Sequence, residues 1–314
     1  MVQKACAIPN NFAENLPNLK EQTLKWSIDI KLDGGNFHAG DISYYSVGDA
    51  ARGNFILVPG LASNTATEPL MKALTWWSLT NRYNVYCLDT FLGDFKPTVT
   101  MDDAVRNTIP KFIDVVDTGL DIIGKHCDGA WTCMVGHSLG ANATFEILNR
   151  RVIANQPTHL SAAIVFAPFV CKSCLEWIVD YQRKRQCPPD ISDAEFKNYP
   201  LGMCSPQDAA MSKQIRYISV LPKFFDDLDK MTPKPHLMNK YDIPVTIVAG
   251  GRDKKAPLER LQGIYETMRR MSNASKFKLV VFPKSKHSFI NQYRDYAAVV
   301  NLIKSVRLRK PRHK

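Results

Sequence analysis

A sharp strand-to-helix reversal constrains this chain more than any other feature. In Trp131-Thr-Cys-Met-Val-Gly-His-Ser-Leu-Gly-Ala-Asn-Ala143 an apolar run breaks at Gly136-His137-Ser138-Leu139-Gly140 and resumes in small, helix-compatible residues. The pattern reads as strand, tight turn and helix, with Ser138 at the apex. A serine on so tight a turn takes unfavourable backbone dihedrals, and the residues two before and two after it approach one another closely. Both must be nearly free of side chain, as Gly136 and Gly140 are. The turn lifts Oγ out of the sheet and starts a helix directly behind it. The helix N-terminus and the Leu139 N–H then face any negative charge that develops on a group attacked by Ser138. This is the pattern of a nucleophile elbow. The bland alternative is a glycine-bearing loop, and the rest of the chain decides between the two.

The chain before and after the elbow alternates strands with helices. Residues 1–22, rich in Asn and Pro, read as a loose extension. From Thr23, Trp26-Ser-Ile-Asp-Ile-Lys-Leu32 and His38 to Val47 read as an antiparallel hairpin around Gly34-Gly35. A short apolar strand at Asn54 to Val58, a helix from Glu68 to Leu79, a strand from Tyr83 to Asp89 and one long amphipathic helix from Met101 to about Gly124 follow. After the elbow come a buried strand at Leu160 to Ala167 and a proline-broken stretch from Cys171 to Lys240 with no strand suited to the sheet. Order resumes with strands from Pro244 and Phe277 and helices at Pro257 to Met271 and Asn291 to Val306. The expected organisation is a core at 23–170 and 241–306, interrupted by an insertion at 171–240 and ending in a basic tail at 307–314. Alternating elements of this kind form a mostly parallel sheet covered by helices, whose reactive groups gather at the carboxyl ends of its strands.

Two candidates follow strands in just that way. Asp253 lies on a glycine-containing turn after the strand at Val245, and His287 lies after the strand ending at Phe282. Taken alone, Asp253 reads equally well as a helix cap and His287 as a surface histidine among lysines. With Ser138 they give the chain order Ser, Asp, His, and at this point the sequence resembles the α/β-hydrolase superfamily from about Thr23 onward. The resemblance implies an α/β-hydrolase fold with a helical cap at the insertion, Ser138 as nucleophile, Asp253 as acid and His287 as base. It also implies an oxyanion hole formed by the backbone N–H groups of Leu139 and of Leu61, in Pro59-Gly60-Leu61-Ala62. The family commonly carries a histidine that supports that loop; this chain has Pro59 before the glycine. His137 is expected to point away from the nucleophile, since neighbouring side chains on a tight turn diverge.

Composition enters mainly by exclusion. The chain has a net charge of +11, with Lys and Arg concentrated in Arg183-Lys-Arg185 and in the tail from Arg307 to Lys314, and no aromatic residues interleave them as a base-stacking platform requires. No nucleic-acid partner is expected. A solvated tail is the default, and weak contact with an anionic membrane surface is its functional alternative. The absence of a long apolar run or an apolar leader points to a cytoplasmic protein. Cys87 and Cys133 sit in apolar strands, so reduced thiols are expected. Cys171, Cys174, Cys187 and Cys204 could in number hold zinc, but only the first pair has the spacing, and no metal or cofactor is expected. Asn142-Ala-Thr matches a glycosylation site yet falls in the helix behind the nucleophile.

The reading is a cofactor-free serine hydrolase acting on a carboxylic ester, lipid or other acyl ester, through an acyl-enzyme. An acyltransferase, a thioesterase or a serine peptidase shares the first half-reaction, and a hydrolase-fold binding protein without turnover is the rival of another class. The apolar bulk of the insertion, in Trp177, Tyr181, Phe196, Met203, Met211, Tyr217, Phe224 and Phe225, is expected to roof the acyl pocket.

Overall fold

The apolar runs at the centre of the sequence become fully buried parallel strands. In the computed structural model, which describes residues 24–32, 35–61, 63–65, 68–93, 96–127, 129–169, 172–203, 217–231, 233–271, 273–289 and 293–307, β3 (Asn54–Val58), β5 (Thr132–His137), β6 (Ala162–Phe166) and β9 (Val245–Gly250) are buried at every position. A strand covered on both faces has no reason to alternate, which is why these segments read as unbroken apolar stretches. β1 (Leu24–Leu32) and β2 (Gly35–Tyr45) form the hairpin, with a register shift between Ile28 and Asp29, and β4 (Asn84–Thr90) and β10 (Phe277–Phe282) complete the sheet. The order is β1-β2-β4-β3-β5-β6-β9-β10. The first two pairings are antiparallel and all later ones parallel.

Helices cover the sheet. α1 (Pro69–Thr80), α2 (Met101–Arg106), α3 (Ile109–Cys127) and α4 (Leu139–Ala154) lie in the first half of the chain. The single long helix expected from Met101 to Gly124 is two helices. Pro110 has no N–H, and its ring would clash with the carbonyl of residue 106 in a continuous helix. The chain leaves helical geometry at Asn107 (φ −81°, ψ 86°) and starts again at Ile109. α3 then packs on α4, where buried Arg151 bridges Asp117 (Nε to Oδ1 3.0 Å) and Asp121 (2.8 Å).

Between β6 and β9 the chain makes α5 (Lys172–Gln186), α6 (Asp193–Phe196), a small antiparallel pair of β7 (Leu201–Met203) with β8 (Ile218–Val220), α7 (Lys223–Asp229) and α8 (Pro235–Met238). The two strands form a sheet of their own, separate from the main one. α9 (Leu258–Arg269) follows β9, and α10 (Tyr293–Arg307) ends the described chain, packing on α1 through Trp76 and Tyr296. The N-terminal extension, the tail beyond Arg307, Cys171 and Cys204 lie outside the described residues. Among those described, no helix is long and apolar enough to cross a membrane, and no group of His, Cys, Asp or Glu is placed to hold a metal ion.

Candidate active site

The parallel strands deliver each candidate residue to one edge of the sheet. Ser138 follows β5 directly, Leu61 follows β3, Asp253 follows β9 and His287 follows β10. Ser138 has φ 54° and ψ −115°, a strained conformation for a residue with a side chain. Its N–H bonds to the Phe166 carbonyl at 2.8 Å, which fastens the turn to the neighbouring strand. The glycines behave as the turn demands: a Cβ at Gly136 would overlap the Gly140 carbonyl oxygen, and one at Gly140 would overlap the carbonyl oxygens of Val58 and Pro59. The elbow is thereby pressed against the loop that carries Gly60 and Leu61.

The three side chains form one hydrogen-bonded line. Ser138 Oγ lies 2.9 Å from His287 Nε2, and His287 Nδ1 lies 2.8 Å from Asp253 Oδ2. A carboxylate can only accept, so Nδ1 carries the proton and Nε2 is left to accept from the serine hydroxyl. Asp253 Oδ1 accepts the N–H groups of Lys255 (2.8 Å) and Ala256 (3.0 Å). Burial pushes the Asp253 carboxyl up, but the His287 bond and charge and these two N–H groups outweigh it and hold the group below its ordinary range. For His287, burial dominates. Despite the Asp253 bond, and with the positive charges of His137 and Lys255 adding to the effect, the imidazole is held below its ordinary value. It is neutral, and able to take a proton, across the neutral pH range.

Glu68 and His137 form a second buried pair beside this line. His137 Nδ1 meets Glu68 Oε1, and its Nε2–H donates to the His287 carbonyl oxygen at 2.8 Å. The other Glu68 oxygen accepts the Gly60 N–H (3.0 Å) and the Ser63 hydroxyl (2.8 Å). Both imidazole nitrogens therefore face acceptors, the arrangement of an imidazolium against a carboxylate. Burial alone would neutralise both groups. Their mutual charge and hydrogen bond prevail, holding Glu68 below and His137 above their ordinary values. The side chain of His137 does turn away from the Ser138 hydroxyl, as expected, but into a network that touches the backbone of the Gly60-Leu61 loop on one side and of His287 on the other. The loop support that Pro59 cannot supply comes from Glu68.

No family model and no curated relative matches the chain. Solved structures do match along nearly its whole length. A soluble variant of monoglyceride lipase from Saccharomyces cerevisiae, in complex with a substrate analog, superposes with a TM-score of 0.62 at 14% identity, covering 90% of this chain and 94% of that one. A putative hydrolase from Agrobacterium vitis gives 0.60 at 14% identity over 90% and 98%, and Est1E from Butyrivibrio proteoclasticus gives 0.55 at 16% identity over 90% and 99%. The chain has the α/β-hydrolase fold.

Within that hydrolase fold, two further features stand near the elbow. Asn142, in the first turn of α4, is fully buried; it accepts the Phe169 N–H (2.7 Å) and donates to the carbonyl oxygens of Phe169 (2.8 Å) and Met231 (3.3 Å). It ties the helix behind Ser138 to the strand-end loop and to the segment after α7. Asp89, at the end of β4, accepts the Thr65 N–H (2.7 Å) and hydroxyl (2.9 Å) and takes no part in the His287 line. Of the apolar residues expected over the pocket, Phe196, Phe224 and Phe225 are buried in packing, Tyr181 is exposed, and the side chains of Trp177 and Met211 lie outside the described residues.

Proposed function

We propose that the protein is a serine hydrolase that cleaves a carboxylic ester. The observation that carries the reading is the hydrogen-bonded line from Asp253 through His287 to Ser138, ending on a hydroxyl raised by a strained turn at a helix N-terminus. Esterase and lipase names among proteins of the same fold support an ester as the substrate class.

In the proposed reaction Ser138 Oγ attacks the ester carbonyl carbon while His287 Nε2 takes the hydroxyl proton. The carbonyl oxygen becomes an oxyanion held by the N–H groups of Leu139 and Leu61. Asp253 keeps the imidazole in the required tautomer and balances the imidazolium. Collapse of the intermediate expels the alcohol, which leaves with the proton returned by His287, and Ser138 retains the acyl group. Water, deprotonated by the same nitrogen, attacks the acyl-enzyme and releases the acid and the free serine. The depressed affinity of His287 for protons suits both steps, since the base is unprotonated at neutral pH.

A fluorophosphonate probe and an ester panel of graded chain length test the reading together. Labelling of the wild type but not of Ser138→Ala, with ester turnover, is the expected result. Labelling without turnover on any ester would move the reading to an acyltransferase, and no labelling would make the protein a binder.

A further inference from the structure

A cleft of about 460 Å³ opens at the carboxyl end of β4, beneath β8 of the insertion, and does not include Ser138, Asp253 or His287. Its volume is that of a small-molecule site. The strand order separates the end of β4 from the end of β5 by two strand spacings, about 10 Å. That is the reach of the far half of a modest ester whose carbonyl sits at Ser138. Asn64, from the loop that carries Gly60 and Leu61, lines the cleft, and Thr65 in the same loop is bonded to Asp89, which lines it too.

The lining defines the chemistry of the occupant. Phe91 and Ile218 are its large apolar residues and both are buried, and an alkyl chain would meet polar groups about as often as apolar ones. Asp41, which pairs with Lys25 at 2.9 Å, and Asp89, bonded to Thr65, line it with carboxylates, while Asn64, Asn107, whose NH2 donates to the Ser219 carbonyl oxygen at 2.8 Å, and Arg106 bring amide and guanidinium groups. Lys96 and Asp103 pair with each other at 2.8 Å. Asp41, Asp89 and Asp103 are matched by Lys96, Arg106 and Lys25, the partner of Asp41, which leaves no surplus positive charge, so a phosphate or carboxylate ligand gains little here despite the basic character of the chain as a whole. What such a surface satisfies is an uncharged group with many hydroxyls, each able to donate to an aspartate and accept from an amide or guanidinium. Tyr217, from the insertion, adds an aromatic wall with a polar tip.

We propose that this cleft binds the uncharged, polyhydroxylated alcohol half of the ester, a sugar-like group, so that the substrate is an acylated sugar or polyol. The proposal rests on the ester hydrolase reading for its place in the reaction, but the cleft can be tested without turnover. Full-length Ser138→Ala is titrated calorimetrically with 6-O-butyryl methyl β-glucopyranoside, hexyl butyrate and glucose 6-phosphate, with and without a second substitution, Arg106→Leu. Arg106 is exposed on the short helix α2, so its replacement leaves the core intact. The sugar ester should bind most tightly, and Arg106→Leu should weaken it about tenfold, the loss of one charged hydrogen bond. Tyr217→Ala is the second variant and should weaken the sugar ester alone. Tighter binding of hexyl butyrate would make the cleft an acyl site, tighter binding of glucose 6-phosphate an anion site, and equal binding by the parent and both variants would place the alcohol elsewhere; each overturns the proposal. In the wild type, kcat/KM should rank sugar ester above hexyl ester. If the binding pattern holds while no ester turns over, the hydrolase reading fails and the cleft stands.

Discussion

Replacing Glu68 by glutamine should change catalysis through a residue that touches none of the reacting atoms. The glutamine side chain keeps the shape but has one acceptor in place of two. Its carbonyl is best kept towards the Gly60 N–H and the Ser63 hydroxyl, since an amide NH2 there would meet the Gly60 N–H head on. The NH2 then faces His137 Nδ1, which must accept and so loses its proton, while Nε2–H still donates to the His287 carbonyl. Four contacts pass from charge-assisted to neutral, each weaker by about 1 kcal/mol, and relief from burying two charges returns part of this, leaving about 2 kcal/mol. For a chain of this size that lowers Tm by about 3 °C. Complete loss of one oxyanion donor costs a factor of about 10² to 10³; a slackened Gly60-Leu61 peptide should lower kcat by about tenfold. The decisive readout is pH. His287 is held down by burial and by the positive charge of His137 and Lys255, against the bond to Asp253. Neutral His137 removes one of these charges, so the His287 imidazole should bind its proton more readily and the acidic limb of the kcat/KM profile should move to higher pH. Stopped measurements of ester turnover between acid and neutral pH, alongside thermal melts, test this. A lowered Tm with an unmoved limb and unchanged kcat would refute the reasoning and make the pair a packing feature.

Four further outcomes follow from the same geometry. Ser138→Ala should abolish labelling and turnover while melting like the wild type, since one hydroxyl is removed from a strained turn. Asp253→Asn should reduce kcat by about 10⁴ with little change in KM, because the amide cannot hold the required tautomer of His287. In the wild type, activity should be present where His287 is neutral and fall away only at pH below its ordinary value of 6.5, because its proton affinity is depressed; a limb above that value would contradict the burial. Stability should be greatest where both Glu68 and His137 are charged. The lowered Glu68 contributes above its ordinary 4.5 and is lost as pH falls through its folded pKa, and the raised His137 contributes below its ordinary 6.5 and is lost as pH rises through its own; denaturant midpoints across pH should show this window, and Glu68→Gln should flatten it.

The parts of the fold legible in the sequence are those set by local pattern. β3, β5, β6 and β9 stand out because strands buried on both faces carry uninterrupted apolar residues, and the elbow stands out because its sterics demand Gly136 and Gly140. Once the strands were placed, the carboxyl-end rule brought Asp253 and His287 to the same edge as Ser138. The break at Asn107 is equally local: apolar periodicity runs through it, and Pro110 overrides that periodicity. β7 and β8 escaped notice for a different reason. Each is three residues long and pairs only with the other, so neither needs the long apolar run by which a sheet strand is recognised.

Glu68 and His137 were beyond pattern reading because their meaning lies in each other. A glutamate before Pro69 reads as the first residue of a helix, and a histidine beside Ser138 reads as a side chain turned aside. β3 and β5 are neighbours in the sheet, however, so the loops that leave their ends must meet, and a charge on one needs a counter-charge on the other if both are dry. The one available signal was a deficit: a loop that lacked its usual histidine still needed an acceptor for the Gly60 N–H. The pairing also settles how two histidines with ring centres 5.0 Å apart can serve opposite purposes. Two imidazolium ions at that separation in a buried site would repel strongly. Glu68 draws the proton to His137, and the resulting charge helps to keep His287 without one, so the fixed cation holds its neighbour in the basic form that the proposed attack by Ser138 requires.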